Sequence, residues 1–204
     1  MMKWFFAIAL ALGLGYHYWK GHRPVRLEPP PVVRIAPVAE TREPLQKDLF
    51  AGPVFRMNDY TLTALAEFSV GARVILAKQY SSGREADLSP VDLALAWGPM
   101  NDTRVLEALA FSQSGRFYRW RYEREPPIPR REIELNSANM HMIPSSDDMA
   151  RRLKAVKAGD RVRIRGYLVE AVGKDGWRWR SSLTRGDTGG GACELIFVQD
   201  MEVL

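Results

Sequence analysis

The sequence predicts an α+β, mainly β domain, a curved antiparallel sheet or small barrel with three short helices, behind one N-terminal transmembrane helix. Three observations carry this: an apolar run with aromatic ends at residues 4–19, segments that alternate with period two at 116–122, 160–170 and 177–180, and short helical stretches bounded by caps and glycines. The chain has 204 residues, 46% hydrophobic and 26% charged, which are the values of a folded globular chain.

Trp4 to Trp19 is apolar throughout, with Trp4, Phe5 and Phe6 at one end and Tyr16, Tyr18 and Trp19 at the other. Aromatic ends are typical of the two bilayer interfaces, and they support a run near the lower length limit of a span. The run continues into Tyr16-His17-Tyr18-Trp19-Lys20 with no small-residue cleavage pattern, so residues 1–20 read as an uncleaved signal-anchor. Lys3 competes with Lys20, Arg23 and Arg26 in setting topology, a count that slightly favours a cytoplasmic domain. The layout of short N-terminus, apolar core and stalk resembles an export signal-anchor. The expectation is a single-pass protein of the bacterial inner membrane with an extracytoplasmic C-terminal domain.

Residues 21–47 hold six prolines, three of them consecutive at 29–31, and read as an extended stalk. Residues 48–204 read as one β-rich domain. Ala72–Tyr80 predicts a buried strand. Ser89-Pro90-Val91-Asp92 predicts the start of a helix closed by Gly98-Pro99, and Asn101 or Asp102 caps a second helix through Ala110. In 116–122, Tyr118, Trp120 and Tyr122 share one face and Arg119 and Arg121 the other. After a break at Glu125–Pro129, Ile133–Leu135 suggests a brief strand. Ser145 opens a third helix with Met149, Leu153 and Val156 on one stripe, ended by Gly159.

Asp160–Glu170 places Val162 and Ile164 inward, with Tyr167 or Val169 beyond them, and Arg161, Arg163 and Arg165 outward. Lys174-Asp175-Gly176 is a hairpin turn, Trp177-Arg178-Trp179-Arg180 alternates again, and Glu194 to Val203 forms a last strand.

The phrase Gly159-Asp160-Arg161-Val162-Arg163-Ile164-Arg165-Gly166-Tyr167-Leu168-Val169 resembles the opening strand of small bacterial OB-fold domains of the tRNA-anticodon-like group, where a mid-strand glycine lets a barrel strand bend. The resemblance covers residues 158–204 and implies an OB-like barrel there. The domain also resembles membrane-anchored bacterial proteins carrying an Asn-x-His-x-Ile-Pro segment, here Asn139 to Pro144. They share a Trp-Arg-Ser-Ser…Asp-Thr-Gly…Ala-Cys-Glu segment, here Trp179 to Glu194. That likeness implies an architecture and no activity.

Charge excludes little. The net charge is +5, but from Leu45 onward there are 23 basic against 21 acidic side chains, so the excess comes largely from the tether. Aromatics and arginines lie on opposite faces of each alternating strand. Aromatics turned inward leave no stacking platform, which makes nucleic acid an unlikely partner. The single cysteine, Cys193, excludes an internal disulfide framework.

The most unusual stretch is 181–194. Its consecutive glycines Gly189, Gly190 and Gly191 permit close backbone approach to a polar or anionic ligand. Arg180, Ser181, Ser182, Arg185, Asp187, Thr188, Gly189 and Glu194, with Asn139 and His141, form the candidate binding set; the plain alternative is a flexible hairpin connection. Gly186-Asp187-Thr188-Gly189-Gly190 looks like a trypsin-type nucleophile segment, but only 16 residues follow Thr188. Asp187-Thr188-Gly189 occurs once, whereas aspartic proteases need a pair.

Catalytic candidates are His141, Cys193 and Asp187, with a cysteine nucleophile and histidine base as the enzymatic reading. A lone cysteine at a strand start is more often a small buried hydrophobe. No metal-ligand spacing is present and no cofactor is implied. The expected function is a membrane-tethered envelope binding or assembly module, held by residues 4–19, with a protein or anionic envelope partner. A tethered hydrolase or transferase and a membrane-associated nucleic-acid binder are the alternatives.

Overall fold

A computed structural model describes residues 29–184, 186 and 192–204. The span expected at 4–19, and Arg185, Asp187, Thr188 and Gly189 of the candidate set, lie outside these residues. Among the described residues no helix is long and apolar enough to cross a membrane.

The chain is mainly β. In order it forms β1 (Leu45–Asp48), β2 (Val54–Met57), β3 (Tyr60–Gln79), α1 (Arg84–Leu88), β4 (Val91–Ala96), a 3-10 turn (Gly98–Asn101), α2 (Thr103–Glu107), β5 (Ala110–Ser114) and β6 (Phe117–Arg121). There follow α3 (Arg130–Leu135), β7 (Ser137–Pro144), α4 (Asp147–Ala155), β8 (Arg161–Gly173), β9 (Arg178–Arg180) and β10 (Glu194–Val203). The main sheet is curved and ring-like. β3 pairs with β4, β4 with β7, β7 in parallel with β10, β10 with β8, and β8 returns to β3. β1 and β2 line the other edge of the first half of β3, and β5–β6 is a separate hairpin.

Inside the ring sit Phe68, Val70, Val74, Val91, Leu93, Leu95, Val162, Ile164, Ile196 and Val198, with α4 closing one end through Met149, Leu153 and Val156. The stripe expected on that helix is the stripe it buries, but the cap is Ser146 and not Ser145: the Ser146 hydroxyl accepts from Met149 N–H. Gly166 is where β8 bends. A Cβ there would lie 2.0 Å from the Phe197 carbonyl oxygen, so only glycine lets β8 and β10 approach. Past it, Leu168 still faces the interior, while Tyr167 and Val169 turn to a second cluster on the outside, with Phe55, Leu62 and Phe197.

Three local expectations are overturned. Residues 91–96 are a strand, not a helix. Val91, Leu93 and Leu95 face the interior and Ala94 and Ala96 face a third cluster outside, so both faces are buried and the run shows no polar alternation. Ser89 does not cap; its hydroxyl donates to the Val91 carbonyl. Residues 130–135 are a helix, with Ile133 buried against the same outer cluster. The helix capped by Asp102 stops at Glu107, and Ala110 already begins β5. The described residues thus hold four short α-helices where three were expected.

The segment between β4 and β7 covers the outside of the sheet. Phe111, Tyr118, Trp120 and Tyr122 pack against Ala94, Ala96, Met100 and Ile133, while Arg119 and Arg121 are exposed. The arginines of β8 meet acids: Arg161 with Glu40, Arg163 with Glu202, Arg165 with Asp200. Of the stretch read as a stalk, residues from Pro31 onward lie against the sheet. Pro31 O accepts from Tyr167 Oη and Gln199 Nε2, and Val33 and Val38 are buried.

Candidate functional site

Between the two outer apolar clusters runs a polar seam on the outer face of β4 and β7. Pairing sets Asp92 directly opposite His141 and Ala94 opposite Asn139. With period two, Asp92, Asn139 and His141 all point outward, and all three are buried. The seam is roofed by the tip of the β5–β6 hairpin. Gly115 and Arg116 are its two turn residues, with φ of 56° and 68°, the geometry of a tight turn that follows strand twist. Arginine in that left-handed region costs on the order of 1 kcal/mol relative to glycine.

The side chain gives a reason for it. Arg116 Nη1 donates to Asp92 Oδ1 at 2.7 Å and to the Ser89 carbonyl at 2.9 Å. Its guanidinium lies 3.8 Å from the Tyr80 ring centroid and 5.6 Å from that of Trp179. The Arg116 carbonyl accepts from Asn139 Nδ2 at 3.0 Å and lies 3.9 Å from the Cys193 thiol. Gln113 Nε2 donates to Asn139 Oδ1 at 2.6 Å, and Tyr118 Oη bonds Ser137 Oγ.

His141 Nδ1 stands 3.0 Å from Asp92 Oδ1, a close polar contact without hydrogen-bond alignment, and its ring meets Trp179 at 4.8 Å. Asp92 Oδ2 and Tyr80 Oη are both buried, the Tyr80 hydroxyl facing the Asp92 carboxylate. Burial pushes the Tyr80 hydroxyl pKa up, and the nearby Asp92 charge adds to the rise.

Loop 181–194 springs from beside this seam. Ser182 N–H donates to the Cys193 carbonyl, closing the loop's neck. Buried Ser181 Oγ accepts from Leu195 N–H and donates to the Ser182 carbonyl. Leu183 packs on the interior core, and Glu194 is buried at the head of β10. Arg180 is exposed on β9 and faces Glu170 at 3.5 Å, away from the seam. Asn139 and Cys193 therefore meet the Arg116 tip directly and His141 is linked to it through Asp92, while Ser181, Ser182 and Glu194 build the loop's stem and Arg180 stands apart.

Among the described residues no group of three His, Cys, Asp or Glu side chains converges to hold a metal ion. Clefts of ≈ 860 and ≈ 360 Å³ flank the base of the hairpin, at 107–110 with 121–125 and at 110–112 with 119–121. Neither touches the seam.

No family model, curated protein or solved structure matches this chain. The site rests on its own geometry.

Asp92, Arg116, Tyr80 and Trp179 were missed as site residues. One signal was available: Asp92 is the sole charge in the apolar run Val91–Trp97, and a charge inside such a run calls for a buried partner.

Proposed function

We propose that the chain is a membrane-tethered binding or assembly module of the bacterial envelope, in which an OB-like barrel offers loop 181–194, beside the roofed polar seam on β4 and β7, to a protein or anionic envelope partner. Support for an OB-like barrel comes from the strand order β3–β4–β7–β10–β8, the parallel β7–β10 contact and the helix α4 between β7 and β8. In that fold ligands bind on the second and third strands, between the loops after the first and fourth. Here those strands are β4 and β7, and the loops are 80–90 and 174–193. The observation that carries the reading is the polar seam on that very face, between those two loops. The apolar run 4–19 supports the tether. The rings of Tyr118, Trp120 and Trp179 pack on the outer apolar clusters and are half-buried there, which speaks against base stacking.

A specific contact favours a second reading, a tethered hydrolase or transferase. Asp92 beside His141 Nδ1 leaves Nε2 as a candidate base, with Cys193 as the nucleophile. Two experiments separate the readings. Alkaline phosphatase fused after Leu204 is expected to be active, and a silent phosphatase there overturns the extracytoplasmic placement. Cys193→Ala, checked for folding by circular dichroism, is expected to complement a deletion strain as wild type does. Failure of this variant while folded replaces the binding reading with the enzymatic one.

A further inference from the structure

We propose that Tyr80, Asp92, Trp179, His141 and the Ser89 carbonyl form a guanidinium-binding pocket, filled at rest by the chain's own Arg116 and opened to an arginine side chain of a partner polypeptide. The inference goes beyond the reading above and depends on neither the tether nor loop 181–194.

Host and guest come from different parts of the fold. The walls belong to β3's exit, β4, β7, β9 and the turn after α1, all of the main sheet. The guest arrives from the segment inserted between β4 and β7, at the tip of a hairpin whose own packing lies elsewhere, on Ala94, Ala96 and Ile133. The pocket has the parts that recognise a planar cation: an aromatic face at 3.8 Å, a second ring at 5.6 Å and a fully buried carboxylate at 2.7 Å.

The resident guest fills it incompletely. Arg116 reaches Asp92 through Nη1 alone, so the second carboxylate oxygen takes no prong of the fork, and the carboxylate faces the Tyr80 hydroxyl instead. An arginine free of the hairpin's geometry can present both prongs of its fork to both carboxylate oxygens. The side chain of Arg116 keeps 16% exposure, which gives it a way out without unfolding the hairpin. A fork-shaped guanidinium suits this slot better than a compact ammonium, because the walls are flat rings and the acceptor is two-pronged.

The test uses the full-length chain in nanodiscs, wild type and Arg116→Ala, titrated with methylguanidinium, Gly-Arg-Gly, Gly-Lys-Gly and urea by calorimetry and thermal shift. Both guanidinium probes are expected to bind the variant saturably, Gly-Lys-Gly more weakly and urea not at all. Wild type is expected to bind at least about tenfold more weakly, because a tethered competitor acts at an effective concentration of millimolar order. Adding Asp92→Asn to the variant is expected to abolish binding.

Arg116→Gln serves if the alanine variant does not fold. If neither folds alone, recovery of folding by millimolar methylguanidinium supports the pocket and its absence overturns it. Equal affinity in wild type and variant, no saturable binding to a folded variant, or binding that survives Asp92→Asn also overturns it. Binding of methylguanidinium without Gly-Arg-Gly overturns the assignment to a polypeptide side chain.

Discussion

Asp92→Asn is the substitution whose cost the structure specifies best. Asp92 is fully buried, accepts from Arg116 at 2.7 Å and lies 3.0 Å from His141 Nδ1. Removing one member of a buried ion pair typically costs about 3–5 kcal/mol, because the other charge is left without compensation. Here the partner retains 16% exposure and can regain some water, and asparagine keeps the shape and an acceptor, so the lower end applies, about 3 kcal/mol. For a domain of this size that is a fall in Tm of about 6–12 °C.

The assay is urea unfolding of the full chain followed by tryptophan fluorescence, with Arg116→Gln and the double variant completing a cycle. The two singles are expected to be non-additive by about 2 kcal/mol, as residues in direct contact are. A loss below about 1 kcal/mol for Asp92→Asn, or additivity within about 0.5 kcal/mol, means the hairpin tip is not docked on the seam and refutes the reasoning.

Gly166→Ala is expected to disrupt the sheet, since its Cβ would meet the Phe197 carbonyl at 2.0 Å; soluble, cooperatively unfolding protein from this variant contradicts the β8–β10 register. Burial pushes the Tyr118 hydroxyl from 10.0 up to about 12. A raised folded value means that the folded state holds its proton more tightly. Tyr118 therefore contributes stability fully below pH 10, and that contribution is lost as pH rises towards about 12. Alkaline titration of unfolding free energy should show this decline, and an unchanged decline in Tyr118→Phe assigns it elsewhere.

Segments with one wet face were legible in the sequence. β8 reads correctly because Arg161, Arg163 and Arg165 alternate with buried Val162 and Ile164; β10 runs from Glu194 to Val203 as expected although Glu194–Val198 is buried on both faces. α4 reads correctly in its stripe, while the cap falls on Ser146, one residue past the expected Ser145. β4 failed for the opposite reason: the ring lies on one side and the inserted segment on the other, so Val91–Ala96 carries no polar face, and local Ser-Pro-x-Asp chemistry suggested a helix start. Nothing local marked β7 as a strand either, since Ser137–Pro144 is buried on nearly every residue. The first half of β3 was missed although its pattern was there to read: Thr61, Thr63 and Glu67, half-buried, alternate with buried Tyr60, Leu62, Ala64 and Ala66.

The site was half legible. Asn139, His141 and Cys193 stood out by type and neighbours, but what organises them is a contact between residues 24 apart, Asp92 and Arg116, made by a hairpin that folds back over its own parent strand. Such a pair is weak evidence for stability in itself, since replacing both partners by apolar residues of similar volume is often neutral or better. The hairpin does not need it: Phe111, Tyr118, Trp120 and Tyr122 already bury an aromatic face against Ala94, Ala96 and Ile133, and that apolar burial is the larger effect. A charged tip at a strained turn, reaching a carboxylate it satisfies only in part, therefore makes poor sense as a fastener. As the resident occupant of a cation pocket, it accounts for the turn, the aromatic walls and the one-pronged contact with the carboxylate together.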